Sequence, residues 1–114
     1  MRMLVVILFM GGPLSGSTAD IILVEDGRPN AVIVAAGNPG RAASLAALEL
    51  QYHIEKISGA VLPIVLDKKA VTGNRILVGE SAETRKLGLT GESFGSQEYL
   101  IRFMPGTIVL MGRD

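Results

Sequence analysis

The residues that could carry chemistry in this sequence are few and scattered. His53 is the one histidine, beside Tyr52, and there is no cysteine. A histidine acting as general base needs a partner within hydrogen-bond reach, and no spacing in the chain names one. The reading that follows is a structural or surface histidine. Val78-Gly79-Glu80-Ser81 closes an apolar run and opens a polar one, the layout of an anion-binding turn at a helix start. Its lone glycine falls short of a glycine-rich phosphate fingerprint, so a tight turn followed by an N-cap is the plainer reading. Gly37-Asn38-Pro39-Gly40 invites the same idea and receives the same answer.

The carboxylates do not converge either. Those of the turns, helices and later loops sit apart at Glu25, Asp26, Glu49, Glu55, Glu80, Glu83, Glu92 and Glu98. Glycoside hydrolysis needs two carboxyl groups about 5–9.5 Å apart across the scissile bond, and no pair stands out. One histidine without cysteine leaves no metal-ligand cluster. The sequence therefore nominates no catalytic, cofactor-binding or metal-binding residue.

Composition narrows the partners. The 114 residues suit one domain, and 11 basic residues balance 11 acidic ones. That balance offers no electrostatic attraction for nucleic acid or an anionic membrane surface. Aromatics make up only 4% of the chain, with no tryptophan, which weighs against a dedicated sugar-stacking module.

The elements that would position these residues are led by Asn38 to Gly59. Ala43, Ala47, Leu50, Ile54 and Ile57 recur at spacings of four, three, four and three, which builds one apolar helical stripe. Asn38 is the expected N-cap, Pro39 the first helical residue and Gly59 the left-handed stop. Arg41, Gln51, Glu55 and Lys56 lie on the other side, so the helix should cover a sheet and turn its back to water.

Residues 1–19 read as a secretory signal. Arg2 precedes an apolar core from Leu4 to Met10, Gly12-Pro13 breaks it, and Ser17-Thr18-Ala19 supplies small residues for cleavage. The competing reading is a buried strand over Leu4–Met10. That core is far shorter than the roughly 20 residues of a membrane span. Its removal takes Arg2 and leaves 10 basic against 11 acidic residues. The mature chain, 20–114, should then be secreted or periplasmic.

Strand signals follow at Ile21–Val24, Ala31–Val34, Val61–Leu66, Arg75–Gly79, Glu98–Phe103 and Thr107–Met111. Asp26-Gly27 suggests a hairpin between the first two. Pro63 belongs at a strand start or edge. A short helix is expected over Ala82–Leu87, capped by Ser81 and ended by Gly88. The order β-β-α-β-β-α-β-β predicts an α/β (α+β) fold, a mixed sheet with one long helix on one face. Apolar neighbours around Leu77, Ile101 and Val109 suggest burial on both faces, with the second face docked on another domain.

Ala46–Gly59, followed by Leu62-Pro63-Ile64, resembles the helix and strand of one accessory domain. That domain precedes the catalytic barrel in family 20 β-hexosaminidases, α-glucuronidases and related secreted bacterial proteins. Arg75–Ser81 resembles its next strand, and Glu98–Arg102 with Ile108–Asp114 resembles its final hairpin. The resemblance covers about residues 20–114. It implies a non-catalytic α/β domain packed on a (β/α)8 barrel, which would be its partner; glycan substrate would be reached through the parent enzyme. The chain stops at Asp114, where such proteins continue with a glycine-containing segment and a last helix, so a truncated product is expected. No catalytic residue carries over. The alternative functions are a free-standing extracellular sugar- or small-ligand-binding module and a small enzyme holding phosphate at Gly79–Ser81.

Overall fold

The computed structural model describes residues 3–7, 19–67, 71–96 and 98–112. Asp26 and Gly27 decide the first sheet. Both have positive φ, 53° and 74°, the pattern that closes a two-residue hairpin with the right twist. Such a turn pairs its immediate neighbours, so Glu25 faces Arg28 and Val24 faces Pro29. The hairpin joins β2 (Ala19–Glu25) to β3 (Arg28–Pro29), not to Ala31–Val34 as the sequence suggested. On its other edge β2 pairs antiparallel with β1 (Met3–Ile7). The helix-breaking and cleavage residues of the expected leader, from Gly12 to Thr18, lie outside the described residues.

The second sheet is built from β4 (Val32–Ala35), β5 (Ile64–Leu66), β6 (Arg75–Val78), β7 (Tyr99–Met104) and β8 (Thr107–Gly112). Its strand order is β5-β4-β6-β8-β7. β4 runs parallel to both β5 and β6, and β6 runs parallel to β8. Only β7 is antiparallel, folded back on β8 by the Pro105-Gly106 turn. The long helix α1 (Arg41–Ser58) supplies the crossover from β4 to β5 that a parallel pair requires. The short helix α2 (Ala82–Lys86) and a 3-10 turn at Gly91–Ser93 fill the path from β6 to β7. The fold is mixed α+β, as expected, and Pro63 does precede an edge strand.

Alternation along the strands sends side chains to two clusters. On one face Ile33, Ile76, Val78, Phe103 and Ile108 pack with Ala47 and Ile54 of α1 and with Ile21, Leu23 and Val24 of β2. On the other, Val34, Leu77, Val109 and Met111 pack with Leu89, Phe94, Leu100 and Met104. The segment after α2 thus packs Leu89 and Phe94 on this second face.

Three details of α1 also differ from expectation. Its N-cap is Gly40, with extended φ −64° and ψ 165° and no side-chain cap. The cap therefore falls two residues after Asn38, and the helix begins at Arg41. Ile57 is 60% exposed, because at 3.6 residues per turn it falls about 70° off the line through Ala47 and Ile54. The back of the helix is not purely polar: Leu45, Leu48 and Tyr52 are each more than half exposed. Gln51 is part-buried and donates to the Leu62 carbonyl at 2.8 Å. Gly59 ends the helix as expected, with φ 80° and its N–H on the Glu55 carbonyl.

Candidate functional site

In open parallel sheets, ligands bind beyond the carboxyl ends of the strands, where successive crossovers part in opposite directions. Here β5 and β6 flank β4 on opposite sides, so the crevice opens past Ala35 and Val78. One residue ties it together. Asp67, directly after β5, accepts the Gly37 N–H on Oδ1 at 2.8 Å and the Ala82 N–H on Oδ2 at 2.7 Å. A single carboxylate therefore joins the end of β5, the loop after β4 and the start of α2.

Glu80 closes the next side. Its Oε1 accepts the Gly91 N–H at 2.6 Å and its Oε2 accepts from the Arg85 guanidinium at 3.1 Å. The Gly91 N–H, and then Arg85, hold the Glu80 carboxyl below its ordinary value. A glycosidase acid needs the opposite shift, and both Glu80 oxygens are engaged in tethering Gly91 and Arg85. Ser81 and Thr84, both fully buried, form a reciprocal cap. The Ser81 N–H donates to Thr84 Oγ1 at 2.8 Å, and the Thr84 N–H donates to Ser81 Oγ at 3.3 Å. With the Gly79 amide on the Leu110 carbonyl and the Ala82 amide on Asp67, three of the donors at this turn, Ser81 included, are already engaged. The plainer reading of that turn stands.

Above these tethers lies an open cavity of about 440 Å³ lined by Asn38, Pro39, Gly40, Ala43, Glu80, Arg85, Gly91, Glu92 and Gly112. The first amides of α1 have no intrahelical partner and no side chain caps them. Two carboxylates share the cavity with a guanidinium that Glu80 already holds, so a strong anion is poorly matched. A neutral, hydroxyl-rich molecule would meet both donors and acceptors.

A second concavity, about 350 Å³ and nearly all apolar, lies between the first turns of α1 and the last two strands. Ala42, Ala43 and Ala46 form one wall, Gly79 and Gly112 part of the floor, and Tyr99, Ile101 and Leu110 the other wall. Phe103 shares a buried cluster with Ile21, Leu23 and Val24 of β2, whereas Tyr99 and Ile101, on the same strand, lie outside it. Tyr99 is 76% exposed and Ile101 55%.

His53 belongs to neither concavity. It lies on α1 about 18 Å along the axis from Arg41 at 1.5 Å per residue, 3.2 Å from the Glu49 carboxylate and edge-on to Tyr52. Glu83 approaches Arg75 and Lys86 at 3.9 and 3.8 Å. Among the described residues no three histidine, aspartate or glutamate side chains gather as a metal site. Sequence reasoning passed over Asp67, whose only signal is an aspartate immediately after an apolar run. It also could not bring Glu80 and Glu92 to one cavity.

Comparisons with protein-family models, curated proteins and solved structures gave no match to this chain. Among the described residues, no helix is long and apolar enough to cross a membrane.

Proposed function

We propose that this chain is a non-catalytic accessory domain of a secreted carbohydrate-active enzyme, supporting a (β/α)8 glycoside hydrolase barrel. The observation that carries the reading is the apolar groove beside α1. Alanines and glycines keep its walls low, and Tyr99 and Ile101 stand exposed beside them. Contiguous apolar surface of this kind marks a docking site more often than a catalytic one. The resemblance over Ala46–Gly59, Arg75–Ser81 and the last hairpin points to the same class. Export is part of this proposal: cleavage after Ala19 would take β1 away and leave β2 paired with β3.

The groove can be tested on the chain itself. Anilinonaphthalene sulfonate should fluoresce on binding it, and Ile101→Lys, which sets a charge into the groove, should remove most of that signal. Leu48→Lys, on the far side of α1, should leave it. Equal fluorescence from all three proteins would remove the groove as a docking surface.

A second reading rests on the crevice above Asp67 and Glu80: a free-standing module binding a sugar or another small polar ligand. Calorimetric titration with a panel of neutral glycans separates the two. Saturable heats that vanish in Glu92→Ala would favour the binding module, and heats no larger than dilution would favour the accessory domain.

A further inference from the structure

Opposite its buried side, α1 carries a second line of residues that nothing among the described residues covers. Arg41, Leu45, Leu48, Tyr52 and Glu55 recur at spacings of four, three, four and three, which keeps them in one row along a helix. The three apolar members are 59%, 56% and 52% exposed. Among the described residues, neither Arg41 nor Glu55 has an ion-pair partner. The row is apolar in the middle, cationic at one end and anionic at the other.

We infer that this face pairs with the same face of a second copy, the two helices running antiparallel about a two-fold axis at Leu48. Leu48 stands midway between Arg41 and Glu55. A two-fold there sets Leu48 against its counterpart, brings Leu45 beside the partner's Tyr52, and puts Arg41 opposite the partner's Glu55. The charge pair forms twice, as an isologous interface requires. A parallel pairing would stack like charges at both ends and align the helix dipoles unfavourably. The charges therefore match this surface to itself in one orientation. At the flank, each Glu49 lies 3.2 Å from His53 of its own helix, and Lys56 lies over its own Tyr52 ring at 5.5 Å. This surface is separate from the groove that the accessory-domain reading uses.

One helix pair buries less than the roughly 1,600 Å² of a standard interface, so the dimer should dissociate on the order of 10–100 µM. Sedimentation equilibrium across that range should show monomer and dimer in exchange. Arg41→Glu and Glu55→Arg should each weaken association roughly tenfold or more, one repulsive pair replacing an attractive one at each end. Mixing the two variants should restore it, since both end pairs of the mixed dimer are then attractive. Helicity by circular dichroism should not change, because both positions are exposed. A chain that stays monomeric at the highest concentration would overturn the proposal. So would a dimer that survives Leu48→Lys, or charge variants that fail to recover on mixing.

Discussion

Replacing Gly79 with valine should remove about 4 kcal/mol of folding stability, against about 1–2 kcal/mol for the same change at Gly88. The two glycines share one backbone conformation, with φ of 76° and 77°. A side chain at either position must adopt the left-handed region that β-branched residues avoid. Their surroundings differ. A Cβ at Gly79 would lie 2.7 Å from the Ala43 Cβ, whereas at Gly88 nothing lies within 4 Å. The first site adds overpacking to backbone strain, and the second adds strain alone. Urea denaturation of the two variants measures the difference directly. Equal losses would mean that α1 does not press on the end of β6. That contact shapes both concavities, because Ala43 lines the two of them and Gly79 lines the groove.

Asp67→Ala is expected to cost about 3 kcal/mol, since it removes two charge-assisted hydrogen bonds and strands two backbone donors. Asp67→Asn should fall between the two proteins: one amide oxygen can still serve a single N–H, but the second acceptor is lost. Hydrogen exchange gives the local readout. The amides of Gly37 and Ala82, now on the Asp67 carboxylate at 2.8 and 2.7 Å, should lose protection in the alanine variant. A stability loss below about 1 kcal/mol, the scale of one ordinary hydrogen bond, would show that the crevice is not organised through this residue.

The elements that were legible in the sequence are those whose signals are local. The helical period of α1 and the Gly59 stop can be read from the sequence alone. So can Ser81 opening α2 and the Pro105-Gly106 hairpin. The strand after α1 pairs parallel to the one before it, and the helix supplies the crossover that such a pair requires. Choices between neighbouring signals were harder to read. Asp26-Gly27 pairs its nearest residues, so the two-residue strand Arg28–Pro29 captured the hairpin and freed Val32–Ala35 for the other sheet. Leu45, Leu48 and Tyr52 are interleaved with the buried stripe, and only the position of the sheet tells the two rows apart. Leu89 and Phe94 sit in a segment without a period, and so the cover of the second face had no signature. Asp67 was hidden for a further reason: its partners lie 30 residues before it and 15 after.

The central proposal, an accessory domain that supports a glycoside hydrolase barrel, is tested most directly in the parent gene. The measurement is the reading frame immediately downstream of the Asp114 codon. The account predicts an open frame of several hundred residues, with strands and helices alternating in the pattern of a (β/α)8 barrel and carboxylates at the carboxyl ends of its strands. A stop codon at that position, in a gene whose product accumulates, would contradict it and leave the crevice above Asp67 and Glu80 as the site to pursue.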